Sequence, residues 1–168
     1  MRSRGVTFFI EPKYLYNQVF AKASNPGENY EIPFGKARVR REGSDLTIVS
    51  YGTTVHWCLR AASQLADVHG IEAEVIDLRS LVPLDMDTVI GSVRKTAKAL
   101  VVHEDKVFGG FGGEIAAQIT ENCFDSLDGP VLRVGSDFSP VPFSKILERE
   151  VLPQVEDVVR KALELAKY

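Results

Sequence analysis

The stretch "VVHEDKVFGGFGGEIAAQ", residues 101–118, decides the fold. It begins as an apolar run, the mark of a strand buried on both faces. It passes through His103, Glu104 and Asp105, then a turn holding four glycines, and enters a segment with Ile115, Ile119 and Cys123 at helical spacing. Strand, glycine-rich turn and helix form the repeating unit of an α/β protein, and in many such proteins the turn cradles a phosphate.

This turn is poorly suited to that task. A Walker loop needs Lys and then Ser or Thr after its last glycine, whereas Glu114 and Ile115 follow Gly113. A dinucleotide fingerprint needs glycines at its first, third and sixth places. Counted from Gly110, the sixth place is Ile115; counted from Gly109, the third is Phe111. Charge points the same way. A helix N-terminus favours an anion by only about 0.3–1 kcal/mol at an exposed site, and one nearby unit charge of the same sign can cancel that. Here Glu114 occupies the first helical turn, and Glu104 and Asp105 precede the glycines. The glycines instead serve positive φ angles or close backbone approach. With Phe111 at its tip, the run Gly109, Gly110, Phe111, Gly112, Gly113 reads either as a docking loop against another chain or as a site of intrachain packing.

Outward from this unit the alternation continues. "KARVRREG" and "SDLTIVSYG" read as two strands joined by a tight turn, the first antiparallel to the second because so short a link excludes a parallel crossover. Val55, Cys58, Leu59, Ala62, Leu65 and Ala66 mark one face of a helix that Gly70 closes. "IEAEVIDL" is a strand, and "PLDMDTVIGSVRKT" a helix capped by Asp85 with Arg94 and Lys95 in its last turn. "GPVLRVGS" is the last strand, and "QVEDVVRKALELAKY" the terminal helix. Together these predict an α/β/α three-layer sandwich around a five-stranded, mostly parallel sheet whose first strand is antiparallel.

The rest of the chain bounds the function. Its 168 residues suffice for one core, and a net charge of −3 offers no basic surface for nucleic acid. The apolar run at residues 6–10 is too short for a membrane span or a signal segment. Cys58 and Cys123 lie on the apolar stripes of their helices, as core thiols do. His103 and Glu104 stand at the carboxyl end of a strand, where open α/β sheets place their ligands. Asp77 and Arg79 stand at another strand exit and could pair there. No nucleophile elbow or second histidine at metal spacing accompanies them, so a structural or interface role outweighs a catalytic one. His56 and His69, near the two ends of one helix, need no special role.

Residues 1–32 read as a leader and linker: "VTFFI" as a strand, "EPKYLYNQVFAKA" as a short helix, and "SNPGENYEIPFG" as punctuation before the regular domain, residues 33–168.

The motifs "EPKYLY", "YEIPFGKARVRREGSDLTIVSYGTTVHWCLRAA", "AEVIDLRSLVPLDMDTVIGSVRKT", "ALVVHED", "GGFGGEIAAQI" and "GPVLRVGSDFSPVPF", in this order, resemble the C-terminal part of the beta subunit of thiamine-diphosphate-dependent 2-oxo acid dehydrogenases. The wording from His103 to Phe124 is closer to the branched-chain (2-oxoisovalerate) type than to the pyruvate type. The resemblance implies a transketolase C-terminal-like domain, with residues 1–32 the remnant of an upstream pyrimidine-binding domain. It implies that the parent enzyme, with thiamine diphosphate and Mg²⁺, decarboxylates a 2-oxo acid and passes the acyl group to a lipoyl arm. It further implies partners: an alpha subunit or region, a second beta subunit of a heterotetramer, and a lipoyl acyltransferase core. The location it implies is the bacterial cytoplasm or the mitochondrial matrix. The Gly-Asp-Gly…Asn motif of the diphosphate site is absent from this sequence. No catalytic, cofactor or metal residue is therefore expected here, and the segment by itself is expected to be inactive. Interface residues are expected at the glycine turn and at Glu156, Asp157 and Tyr168, with Glu164 alongside. The rival expectations are a free-standing enzyme or ligand-binding domain built on His103 and Glu104, and the C-terminal domain of a transketolase or deoxyxylulose-phosphate synthase.

Overall fold

A computed structural model describes residues 5–168. Ten regular elements run in the order β1 (Arg38–Arg41), β2 (Leu46–Ser50), α1 (Thr54–His69), β3 (Ala73–Asp77), α2 (Met86–Thr96), β4 (Ala99–Lys106), α3 (Gly112–Cys123), β5 (Leu132–Ser136), α4 (Lys145–Val151) and α5 (Val155–Leu165). The strands form one sheet in the order β1-β3-β2-β4-β5. All adjacent pairs are parallel except β1 with β3.

Strand alternation divides the core in two. Leu46, Ile48, Val75, Leu100 and Val102 face Cys58, Leu65, Val158 and Ala162 of α1 and α5. Val49, Ile76 and Val101 face Val89, Val93, Ile115 and Ile119 of α2 and α3. Every residue of β2 is buried, as the central strand of a doubly covered sheet requires. Thr47 in that strand hydrogen-bonds Ser92 at 2.6 Å and Thr96 at 2.7 Å on α2, so the one polar side chain buried on that face of the strand has partners. Buried Glu74 pairs with Lys95 of the same helix.

Two expectations need correction. First, β1 and β2 are not neighbours: β3 lies between them, and β1 pairs with β3. The connecting turn reaches past the start of β3, where the amides of Ser44 and Asp45 both donate to the Glu72 carbonyl at 2.9 Å. Gly43 permits this, since a Cβ there would collide with the backbone of Ala73 and Glu74. With three arginines in four residues, β1 suits an edge rather than the interior. Second, residues 6–10 form no strand, and Val6, Phe8, Phe9 and Ile10 are exposed. The segment after them forms not one helix but two 3-10 turns, Lys13–Asn17 and Val19–Ala21. Residues 1–4 of the expected leader lie outside the described residues. The segment between β5 and the terminal helix, left unassigned by the sequence reading, contains α4.

The helix ends follow local chemistry. Gly70, at φ 66°, closes α1 with its amide bonded to the Ala66 carbonyl, while that of Ile71 reaches Leu65. Asp85 caps α2: its carboxylate accepts the Thr88 amide at 3.3 Å, the Thr88 hydroxyl at 2.8 Å and the Ala37 amide at 2.8 Å. Burial alone would raise the Asp85 pKa, but these donors outweigh it and hold the carboxyl below its ordinary 3.8. Asp85→Ala is expected to lower unfolding stability by about 1–2 kcal/mol. The stabilisation from Asp85 is present above pH 3.8 and is lost as pH falls through the depressed folded-state value. Urea unfolding at neutral and acid pH should therefore show the wild type and the variant converging as the medium is acidified.

Candidate functional site

The strand order reverses between β2 and β4, so the carboxyl ends of these two strands frame the crevice in which open α/β sheets hold ligands. His103 of β4 occupies this place. Alternation along β4 turns it toward α3, and it is 0% exposed. Its ring lies parallel to that of Tyr51, which follows β2, with an interplanar angle of 8° and centroids 6.3 Å apart.

The glycines form the other walls. A Cβ at Gly112 would collide with Nε2 and Cδ2 of His103. A Cβ at Gly110 would collide with the Lys106 carbonyl and lie 2.8 Å from His103 Cε1. One at Gly135 of β5 would lie 2.6 Å from the Asp105 carbonyl and 3.1 Å from the same Cε1. Only Gly109 needs a left-handed backbone, at φ 75°. Gly113 stands apart from the ring: a Cβ there would meet Arg133 Nη1 at 3.4 Å, an ordinary contact. The concave side of the turn is thus filled by an imidazole.

Neither nitrogen of that imidazole has a hydrogen-bond partner among the described residues. Burial lowers the His103 pKa, with Asp105 opposing and Arg133 reinforcing the shift, so the ring is neutral at pH 7. Tyr51 is also perturbed: burial, and then the charge of Asp105, push its pKa up to about 12. A buried neutral ring beside a phenol that keeps its proton leaves neither of these two groups poised as a general base.

The other expected site residues are dispersed. Glu104 points away from His103 and is exposed, so the two do not form a pair. Asp77 accepts from the Arg40 guanidinium at 3.4 Å and from the Arg79 amide at 3.2 Å. The Arg79 guanidinium makes no ion pair among the described residues, and its backbone sits at φ 58°. Phe111 is half-buried, edge-on to Tyr51 at 6.4 Å and packed on the α2–α3 side of the core. The exposed aromatic of this turn is Phe108, overlooked in the sequence because it precedes the glycines. The acidic groups of α5 are engaged locally. Asp157 forms a capping box with Gln154 and accepts from Arg160 at 2.9 Å. Glu156 lies 3.9 Å from Arg149, and Glu164 pairs with Lys161 at 2.7 Å. Tyr168 lays its ring against Gly129. A second cluster had no simple periodic signal: Tyr14 and Phe20 contact Trp57, and the Arg60 guanidinium lies over both the Phe20 and Trp57 rings.

The family of matching chains is described as Transketolase, C-terminal domain, and the match covers residues 35–158. The chain belongs to that family. Its five-stranded mixed sheet with helices on both faces is the transketolase C-terminal fold. The acetoin:2,6-dichlorophenolindophenol oxidoreductase beta subunit of Bacillus subtilis is 42% identical over 94% of this chain and 45% of its own length. The pyruvate dehydrogenase E1 beta subunit of the same organism is 40% identical over 100% of this chain and 50% of its own length. Its 2-oxoisovalerate dehydrogenase beta subunit is 37% identical over 100% and 51%. A solved split-gene transketolase, described as an inactive beta4 tetramer, has a TM-score of 0.68 at 28% identity and covers 83% of this chain and 44% of that one. The transketolase C-terminal domain described here thus spans about half the length of the curated relatives it matches.

The diphosphate of thiamine diphosphate does not fit the glycine turn. The glycine turn is filled by His103, and Glu104, Asp105 and Glu114 surround it. Among the described residues no group of three or more His, Cys, Asp or Glu could hold a metal ion. No described helix is long and apolar enough to cross a membrane.

Two measurements test the enclosure of His103. Gly112→Ala is expected to lower stability by about 1–3 kcal/mol, the cost of overpacking, whereas Gly113→Ala should be neutral or slightly stabilising within its helix. Equal effects at both positions would contradict the role given to the imidazole. Because the His103 pKa is depressed in the folded state, its contribution is fully present above pH 6.5 and declines as pH falls through the lowered value. His103→Leu should flatten the acid side of the stability profile. His56, also lowered by burial and by Arg40 and Arg60 against Asp77, adds slope in the same range, and Asp85 adds slope at lower pH.

Proposed function

We propose that this chain is the C-terminal, non-catalytic assembly and docking part of a beta-type subunit of a thiamine-diphosphate-dependent 2-oxo acid dehydrogenase. The observation that carries the reading is the match of all 168 residues to half of a pyruvate dehydrogenase E1 beta subunit. The strand-end crevice supports it, because it is filled by a buried histidine with no hydrogen-bond partner among the described residues. On this reading the thiazolium chemistry belongs to other parts of the parent enzyme, and the isolated chain is inactive. Its partners are an alpha subunit or region, a second beta subunit and a lipoyl acyltransferase core. The parent works in the bacterial cytoplasm or the mitochondrial matrix.

Relatives named for acetoin, pyruvate and 2-oxoisovalerate lie at 42%, 40% and 37% identity, so identity does not favour the branched-chain substrate. That preference rests on the wording of residues 103–124 alone. We place docking contacts at the turn of Gly109, Gly110, Phe111, Gly112 and Gly113, where Phe108 is the side chain presented. We place others along α5 near Glu156, Asp157 and Tyr168. A transketolase parent is the second reading, favoured by the likeness to the split-gene transketolase.

A chimera carrying this chain in place of the C-terminal half of the B. subtilis pyruvate dehydrogenase beta subunit is expected to assemble with its alpha subunit and decarboxylate pyruvate. Failure of the chimera to assemble would overturn the reading. Calorimetric titration of the chain alone with thiamine diphosphate and Mg²⁺ is expected to give no micromolar binding, and such binding would place the cofactor site here after all.

A further inference from the structure

Strand β1 is an edge of the sheet, and among the described residues no strand pairs with its outer side. Its register is uneven. Arg38 stands opposite Asp77, Val39 opposite Ile76 and Arg41 opposite Val75, which leaves Arg40 as the extra residue of a bulge. Residues paired across two strands share a face. Val75 packs on the α1 side of the core, and Asp77, two residues on, shares that side. Arg38 and Arg41 therefore stand on the α1 side, and Arg40 joins them, its guanidinium 3.4 Å from the Asp77 carboxylate. Simple alternation would have sent Arg41 to the opposite face with Val39. The bulge gathers all three arginines on one side.

Further positive charge converges on this corner. Arg60 of α1, together with Arg40 and Asp77, sets the electrostatic surroundings of His56 in the first turn of that helix. The Arg60 guanidinium lies over the Phe20 and Trp57 rings instead of meeting a carboxylate. Arg79 follows Asp77 by two residues, is exposed, and holds a left-handed backbone at φ 58°. Arg41 is paired with Glu72 at 2.8 Å, and Arg40 with Asp77. Arg38, Arg60 and Arg79 have no carboxylate partner among the described residues. A chain of net charge −3 thus carries a local excess of positive charge beside an unpaired strand edge.

Charge on an edge strand commonly guards it against pairing. That role needs charge on the strand itself and does not account for Arg60 and Arg79, which lie off it. Sign decides what the edge admits. A second copy of β1 would set arginine against arginine, and the exposed run at residues 6–10 has no acidic side chain to offer. An extended segment with carboxylates at alternate positions carries them on one face, roughly 7 Å apart. Such a segment can lay its backbone along the free edge while its acids enter the guanidinium cluster, whose planar forks match carboxylates.

We propose that the outer edge of β1 accepts an acidic, extended peptide segment of a partner protein as an added strand, with Arg38, Arg60 and Arg79 reading its carboxylates. The site goes beyond the assembly reading above, which leaves this face unassigned, and does not depend on it.

A capped Glu-Val-Glu-Val-Glu-Val peptide is the probe, titrated calorimetrically into the 168-residue chain. Binding is expected, and it should weaken as salt rises because exposed charge pairs are screened. Amide hydrogen exchange should slow within Arg38–Arg41 when the peptide is present. The corresponding Lys-Val peptide should not bind. Arg38→Glu should weaken binding about tenfold, since it replaces an attraction by a repulsion. It should leave thermal unfolding unchanged, because the Arg38 side chain has no ion pair among the described residues. Arg79→Gln, a milder change on a separate element, should weaken binding without reversing the charge. An acidic peptide that does not bind overturns the proposal, as does equal binding of the Lys-Val peptide or binding that tolerates both variants. Binding without slowed exchange in β1, or equal binding of Glu-Val-Glu-Pro-Glu-Val, also overturns it, by showing an anion-attracting patch without strand addition. These assays read the chain alone, so a chimera that fails to assemble sinks the assembly reading and leaves their outcome standing.

Discussion

The enclosure of one imidazole constrains everything around the carboxyl ends of the strands. His103 enters from β4, and the turn that follows must fold back over it closely enough that Gly110 and Gly112 cannot carry a Cβ. The same closeness brings β5 to the ring through Gly135, and Tyr51 stacks from the end of β2. Three strand ends and the start of α3 therefore pack around one side chain that makes no hydrogen bond among the described residues. An unpaired buried polar group costs about 1–3 kcal/mol. Such a cost is retained only where the surrounding packing over-determines the arrangement, and four contacting elements supply that here.

Filling the crevice removes the feature that makes this architecture a binding fold. A Rossmann-like protein leaves the space at the reversal of strand order open to a ligand and lines it with amides. Here the space holds an aromatic pair, and acidic side chains surround the turn. The exposed apolar side chains lie at the periphery, beside β5, along α4 and in the leader over α1.

Most of the fold was legible because its signals are local. The stripe from Val55 to Ala66 with Gly70 at its end, the Asp85 cap and the apolar run entering His103 each depend on residues within one or two turns of chain. The errors share a cause. The insertion of β3 beside β1 is fixed by a contact between Gly43 and residues thirty positions later, which no local pattern displays. The residues "VTFFI" have strand propensity but pair with no strand of the sheet. Helix α4 was hidden by the prolines before it and by its shortness. At the site, sequence alone showed that the turn repels anions but not what fills it. Phe111 seemed the exposed tip because glycines flank it, yet as the N-cap of α3 it turns inward, and Phe108 faces out.

The aromatic contact between the leader and α1 has a spectroscopic consequence. Trp57 is the sole tryptophan of the chain, and it touches Tyr14 and Phe20 while the Arg60 guanidinium lies over its ring. Its emission is therefore set by whether the 3-10 turns of residues 13–21 lie against α1. Intrinsic fluorescence thus reports on attachment of the leader separately from unfolding of the sheet, without any introduced label.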